Sequence, residues 1–116
     1  MPVNPDLVRG TLNTLLLETL ADEPRYGYEI CKIVEQKTGG YFRMREGSLY
    51  PALHRMEKAG LLRATWRDAP EGRRRKYYQL TARGRKELAA RRKEWRDFST
   101  AVNAILSSRR FGLGGA

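Results

Sequence analysis

Residues 46–62 read EGSLYPALHRMEKAGLL, and this stretch decides the fold. A glycine–serine pair at 47–48 offers a helix start, and Pro51 falls in the first turn, where a proline is tolerated. Gly60 provides the stop, because a glycine just past the last turn accepts the left-handed backbone that ends many helices. The pattern predicts a short helix over about residues 47–60.

The two faces of this helix differ in chemistry. At 100° per residue, Leu49, Leu53 and Met56 lie within about 60° of one another and form a stripe that packs on a core. The opposite side carries small, polar and cationic groups with two hydroxyl-bearing neighbours: Gly47, Pro51, His54, Arg55 and Lys58, flanked by Ser48 and Tyr50. The helix therefore buries one side and presents hydrogen-bond donors on the other.

Two short strands joined by a basic turn are predicted next. Apolar and polar residues alternate over residues 62–67 and 77–80, which is the two-residue period of a strand. The alternation directs Tyr78 towards the core and Tyr77 outwards. Between the strands, residues 68–76 are predicted as a turn that ends in four consecutive cations, Arg73, Arg74, Arg75 and Lys76. A two-stranded hairpin is barely stable alone, so we expect it to pack on the helices.

Three further helices complete the pattern. Residues 4–6, Asn-Pro-Asp, form a helix start, and the leucines that follow at three- and four-residue spacing predict a first helix of about 17 residues. A second helix stops at Gly39-Gly40. Thr81 can cap a last helix over residues 82–107, a rod of roughly 39 Å.

The last helix carries an apolar seam at heptad spacing, formed by Leu88, Trp95, Phe98, Val102, Ile105 and Leu106. Arg91 interrupts the repeat. Because the predicted rod is longer than a three-helix core can cover, the seam predicts a second copy of the chain as its partner. Gly84, near the start of this helix, is expected to allow close contact with the first helix.

Charge and composition narrow the class of protein. The 116 residues carry 23 Lys and Arg against 13 Asp and Glu, a net charge of +10, and residues 41–96 alone hold 17 bases and six acids. A surplus of positive charge confined to the middle of the chain indicates that one surface of the protein binds a negatively charged partner.

The single cysteine, Cys31, excludes an internal disulfide. The sequence has no apolar run of about 20 residues, so we expect one domain in a reducing compartment such as the cytoplasm, without membrane association.

The order of elements is that of a winged helix-turn-helix followed by a dimerisation helix, a mainly α fold with a small β-hairpin. We expect a winged-helix DNA-binding domain over residues 1–80, the dimerisation helix over 81–108 and a flexible tail over 109–116. In such folds the third helix enters the major groove of DNA, and the wing, here residues 68–76, reaches backbone phosphates or the minor groove.

Three motifs resemble the PadR family of bacterial transcriptional regulators. They are RYGYEI at residues 25–30, the 46–62 stretch, and RRKYYQLT at 74–81 with Gly84 three residues later. The resemblance covers roughly residues 7–107 and implies a homodimeric repressor, commonly autoregulatory, that binds a palindromic operator and responds to a small-molecule effector. It places DNA contacts on Ser48, Tyr50, His54, Arg55, Lys58, Arg74, Arg75 and Lys76, and the positions of Arg73 and Tyr77 in the wing add these two.

Trp95 has two interpretations. Some short family members bind flat aromatic compounds between tryptophans in a pore at the dimer centre, and Trp95 occupies the matching place, so the resemblance implies a planar aromatic effector there. The other interpretation is that Trp95 is only an apolar residue of the seam.

Other functions have less support in the sequence. There is no Ser/His/Asp or Cys/His set, no phosphate-binding glycine loop and no metal-ligand spacing, so no enzyme, metal site or cofactor is expected. His54, the only histidine, is expected to face DNA or ordinary solvent, and Cys31 is expected in the core. The alternative function is a basic binding module for RNA or an acidic protein partner, without operator recognition.

Overall fold

The computed structural model describes residues 10–107, which form four helices and three strands. In chain order these are α1 (Leu12–Thr19), β1 (Arg25–Tyr26), α2 (Gly27–Lys37), α3 (Glu46–Lys58), β2 (Leu62–Asp68), β3 (Arg74–Leu80) and α4 (Ala82–Leu106). The predicted order of three helices, a hairpin and a long helix is confirmed, and the fold is a winged helix with an additional C-terminal helix. The predicted tail over 109–116 lies outside the described residues.

The first helix is shorter than predicted. Gly10 has a φ of +88°, a left-handed conformation that an α-helix cannot contain, and α1 begins only at Leu12. A continuous 17-residue helix is therefore wrong, and the predicted start at residues 4–6 lies outside the described part of the chain. The spacing of the leucines still identified the packing face, since Leu16 and Leu20 are buried.

The sheet has three strands instead of two. All pairs are antiparallel in the order β1-β3-β2, with Leu62 opposite Leu80 at one end of the hairpin and Asp68 opposite Arg74 at the other. The unpredicted strand β1 is only two residues long and pairs Tyr26 with Tyr77. A two-residue strand that leads directly into a helix has no alternation from which it could be predicted.

The core lies between α1, α2, α3, the first turns of α4 and the inner face of the sheet. Its buried members are Leu16, Leu17, Leu20, Ile30, Leu49, Ala52, Leu53, Met56, Leu62, Tyr78, Leu80 and Leu88. The predicted stripe of α3 and the inward direction of Tyr78 are confirmed. Cys31 is half-buried against this cluster, close to its predicted environment.

The start of α4 is fastened to the end of α3. The Thr81 hydroxyl accepts a hydrogen bond from the Gly84 amide at 3.0 Å and donates one to the Gly60 carbonyl at 2.6 Å, which confirms the predicted cap. The expected contact of Gly84 with the first helix is wrong. A Cβ atom at this position would lie 2.1 Å from the carbonyl oxygen of Leu61, so Gly84 allows close approach of the chain that enters β2.

Most of α4 projects from the body of the protein. Only Gly84 and Leu88 are buried in this 25-residue helix. The described chain has a radius of gyration of 17.7 Å and a longest dimension of 70 Å, whereas a compact domain of this size has a radius near 13 Å. None of the helices within residues 10–107 combines the length and apolarity required to cross a bilayer.

Candidate nucleic-acid interface

Helix α3 presents a polar face to solvent beside the hairpin. Its sequence places leucines, Ala52 and Met56 on the core, and the remaining side chains point away from it. The side chains predicted to contact DNA are all exposed on this face: Ser48, Tyr50, His54, Arg55 and Lys58. At the start of the helix the Ser48 and Leu49 amides both donate to the Arg45 carbonyl at 3.0 Å, so the Ser48 hydroxyl is the donor that this end of α3 offers to an anion.

The hairpin is longer, and its turn shorter, than predicted. The strands extend to Asp68 and from Arg74, so the turn comprises residues 69–73. Its backbone is closed by hydrogen bonds from the Ala69 amide to the Arg73 carbonyl and from the Gly72 amide to the Ala69 carbonyl, at 2.6 and 2.9 Å. Of the four wing cations, only Arg73 lies in the turn, and the other three belong to β3.

A groove of about 880 Å³ separates α3 from the hairpin. Six of the ten residues predicted to contact DNA line it: Tyr50, His54, Arg73, Arg74, Arg75 and Lys76. The other four, Ser48, Arg55, Lys58 and Tyr77, lie outside this lining. The groove thus brings part of the reading face of α3 and all four wing cations to one concave surface.

Aromatic rings support the cations of β3. Each of three consecutive side chains places its charge over a ring: Arg74 over Trp66 at 5.6 Å, Arg75 over Tyr26 at 4.3 Å, and Lys76 over Tyr78 at 5.4 Å. Attraction of a cation to the negative face of a ring restricts where that cation points. The rings therefore favour conformations that keep the wing charges at the groove.

Tyr77 occupies a different environment from its neighbours. Its ring contacts the edge of the Tyr26 ring, with centroids 5.3 Å apart, and lies under the Arg67 guanidinium at 4.6 Å. These contacts leave Tyr77 half-buried instead of fully outward. The unpredicted strand β1 causes the difference, because it brings Tyr26 beside β3.

Tyr50 lies between the groove and the start of α2. Its hydroxyl approaches Gly27 so closely that a Cβ atom there would be 2.4 Å from the phenol oxygen. Burial, and secondarily the carboxylate of Glu46, raise the pKa of Tyr50, so the phenol remains a neutral hydrogen-bond donor. The position of Tyr50 therefore depends on the absence of a side chain at Gly27.

Four aromatic residues of the groove were not predicted as site residues: Tyr26, Tyr28, Trp66 and Tyr78. Trp66 and Tyr28 both line it, and each keeps more than half of its side-chain surface exposed. The alternation in residues 62–67 places Trp66 on the same face as Leu62, but the hairpin extends past the core at that point. An exposed tryptophan near the end of a strand, followed by a basic turn, was the available signal.

The residues of the predicted apolar seam divide into two groups. Leu88 is 3% exposed and packs in the core of its own chain. The other five are exposed large apolar side chains of the projecting part of α4: Trp95, Phe98, Val102, Ile105 and Leu106. The ring centroids of Trp95 and Phe98 lie 6.0 Å apart. We call these five residues the α4 seam.

Metal-binding and thiol chemistry have little support in the described chain. Within residues 10–107, no three His, Cys, Asp or Glu side chains gather as a metal site would require. Burial, and then the charge of Glu46, raise the pKa of the Cys31 thiol, which keeps it in the less reactive protonated form.

The chain is similar to one protein family and to several known proteins and solved structures. Residues 16–90 match the family described as the transcriptional regulator PadR-like family. An uncharacterised protein of Lysinibacillus sphaericus is 32% identical over 104 residues, which cover 90% of this chain and 95% of that protein. A PadR-like transcriptional regulator from Bacillus cereus superposes with a TM-score of 0.80 at 32% identity, covering 90% of this chain and 99% of the other. A PadR family transcription regulator from Clostridium difficile gives 0.75 at 35% identity, covering 84% and 99%.

Proposed function

The chain belongs to the PadR-like family of transcriptional regulators, and from this membership we propose that it is a homodimer that recognises a palindromic DNA operator. DNA binding in transcriptional regulation is the function of the family, and the family does not consist of enzymes. The proposal adds three elements: which surface reads DNA, how two copies associate, and what releases them.

We assign sequence reading to α3 and backbone contact to the wing. An α-helix fits the major groove, where arginine and lysine can donate to guanine O6 and N7. Arg55 and Lys58 are exposed on the outer face of α3 and His54 lies at the edge of the groove, so these three are the proposed base contacts. Ser48, Tyr50, Tyr77 and the wing cations Arg73, Arg74, Arg75 and Lys76 are the proposed backbone contacts.

One observation carries this assignment. The basic surplus of residues 41–96 is gathered so that the four wing cations line a groove with His54 of α3, while Arg55 and Lys58 are exposed on α3 outside the groove lining. A surface that places phosphate-binding charge beside a helix with donors for base edges suits duplex DNA. The second candidate, an RNA or acidic-protein partner, needs the charge but not an exposed helix face.

The experiment separates base reading from phosphate binding. Duplexes selected from random DNA by the wild-type protein provide the specific target, and an unselected duplex of equal length provides the reference. Arg55→Ala with Lys58→Ala should weaken the selected duplex by about 1–3 kcal/mol per lost base contact and the reference much less.

Arg75→Ala with Lys76→Ala is the matched control, because it removes the same charge from the wing. It should weaken both duplexes about equally and reduce the slope of log K against log salt by roughly 0.9 per lost phosphate contact. Equal losses on both duplexes from the α3 variant would contradict the assignment. Preferential binding of single-stranded RNA would favour the second candidate.

The α4 seam is the proposed dimer interface. Its five side chains are exposed on a helix that projects from the body, and monomeric proteins rarely leave contiguous apolar surface of this kind uncovered. A second copy related by two-fold symmetry would present the same seam in return. Two such copies bind half-sites about one helical turn of DNA apart.

Trp95 is the proposed contact for a planar aromatic effector, which would release the repressor from an operator near its own gene in the bacterial cytosol. Its indole is 54% exposed and adjoins the Phe98 ring, so a flat compound can stack on it. Planar dyes should quench tryptophan fluorescence in the Trp66→Phe protein. The quenching should disappear in Trp95→Ala, and its survival there would contradict an effector site at Trp95.

A further inference from the structure

Each of the three cations on β3 contacts a carboxylate of the same chain. The pairs are Arg74 with Asp68 at 3.9 Å, Arg75 with Glu71, and Lys76 with Glu57 at 3.6 Å. The carboxylates come from three different elements: the end of β2, the turn and α3. Their convergence on consecutive residues of one strand is a property of the folded chain.

The same three cations are the ones supported by rings. Every cation thus has two partners, a ring that fixes its position and an acid that neutralises its charge. The ring belongs to the sheet in each case: Trp66 on β2, Tyr26 on β1 and Tyr78 on β3. If the carboxylate moves away, the ring still holds the cation at the groove.

We propose that Asp68, Glu71 and Glu57 occupy the positions on the wing cations that DNA phosphates take in the complex. Binding of a duplex is then an exchange, in which a phosphate oxygen replaces each carboxylate while the ring keeps the cation in place. The three acids determine how tightly the wing holds any DNA, whatever its sequence. This inference rests on the proposed function of the wing.

The magnitudes agree with an exchange. Ion pairs at an exposed surface change an equilibrium constant by about one- to five-fold, so a carboxylate can be displaced easily. The displaced acid stays near the phosphates and repels them, and screening within about 10 Å at 0.1 M salt is incomplete. Replacing an acid by its uncharged amide should therefore tighten DNA binding.

The test uses the full chain and an unselected 30-base-pair duplex, for which no operator is needed. Glu71→Gln should lower the dissociation constant about two- to five-fold, and the Asp68→Asn, Glu71→Gln double variant about four- to 25-fold. Asp97→Asn is the control, because it also removes one acid from an ion pair, with Lys93 at 2.7 Å on α4. It should change the constant by less than about 1.5-fold.

A second arm tests the role of the rings. In a Trp66→Leu background, Asp68→Asn should lower the dissociation constant for the duplex much less than it does when Trp66 is present, because Arg74 is no longer held at the groove. Circular dichroism of each variant verifies that the fold is intact.

Two outcomes overturn the inference. Equal tightening by Glu71→Gln and Asp97→Asn would mean that only net charge matters, and no tightening by either the single or the double variant would mean that the acids do not compete with phosphate. In both cases the wild-type protein still binds the duplex, so the proposed function stands. A wild-type protein that binds no duplex at low salt would instead refute the proposed function itself.

Discussion

At Gly84 the absence of a side chain allows α4 to begin against the chain that enters β2. The position is buried, and a Cβ atom would meet a backbone oxygen of Leu61 at 2.1 Å, which cannot move without disturbing the start of the hairpin. Helix propensity alone favours alanine over glycine by about 1 kcal/mol. The clash with Leu61 should outweigh that preference, so alanine at residue 84 should destabilise the protein.

We predict that Gly84→Ala lowers the free energy of unfolding by about 1–3 kcal/mol, the range for steric overpacking. Gly47→Ala is the matched control, since Gly47 is also helical but a Cβ atom added there would have no neighbour within 4 Å. It should leave stability unchanged or raise it by up to about 1 kcal/mol. Urea unfolding of both variants measures the difference, and a stable Gly84→Ala protein would contradict the packing described at Leu61.

Among the elements, α4 is attached to the body by side chains from its first three turns. Arg85 donates to the carbonyl of Ala21 at 3.0 Å, and Arg92 forms two hydrogen bonds of 2.7 Å with the carboxylate of Glu18. Beyond Arg92 the α4 seam begins. The Arg92–Glu18 pair connects α4 to α1 three turns into the helix, and it helps to set the direction in which the helix projects.

A double-mutant cycle on Glu18→Gln and Arg92→Gln should give a coupling energy of about 0.5–1 kcal/mol, at the upper end for exposed pairs because the geometry is bidentate. The same cycle on Lys93 and Asp97, which are one turn apart within α4 and exposed, should give a smaller coupling energy. Urea unfolding provides the energies. A coupling near zero between Glu18 and Arg92 would show that the pair does not fix α4 to α1.

The elements also show how far the sequence predicts the structure. Helix α3 was predictable because its apolar period, its proline and its terminal glycine are all local signals. Strand β1 was not, since two residues carry no period and their pairing depends on β3. The seven-residue spacing in α4 predicted Leu88 as part of the seam. In the structure Leu88 is instead buried in the core of its own chain. Spacing identifies which residues share a face but not which neighbour covers that face.

The candidate site divides in the same way. The polar face of α3 and the four wing cations follow from the sequence. The partners of those cations do not, because Asp68 and Glu71 meet Arg74 and Arg75 only when the hairpin closes, and Glu57 meets Lys76 only when the hairpin packs beside α3. Ring contacts with Tyr26 likewise require β1.

For the whole molecule, we predict that Val102→Asp shifts the protein from dimer to monomer. Val102 lies in the middle of the α4 seam, and a carboxylate there would be buried without a partner, at a cost of several kcal/mol. The dimer dissociation constant should rise by about 100-fold or more. Sedimentation velocity over a concentration series measures it.

Thr100→Asp is the control for this prediction. Residue 100 is exposed on the same helix, about 200° around the axis from Val102. The Thr100→Asp substitution, like Val102→Asp, replaces a β-branched residue by aspartate. It should leave the dimer intact. A fully dimeric Val102→Asp protein would contradict the α4 seam as the interface.

In the proposed complex, two copies join through α4 and place two α3 helices on one duplex. Sedimentation equilibrium of the free protein, and of its complex with a selected duplex, measures the number of chains in each. The free protein should have twice the mass of one chain, and the complex should hold two chains on each duplex. A stable single chain that binds no double-stranded oligonucleotide would contradict this proposal.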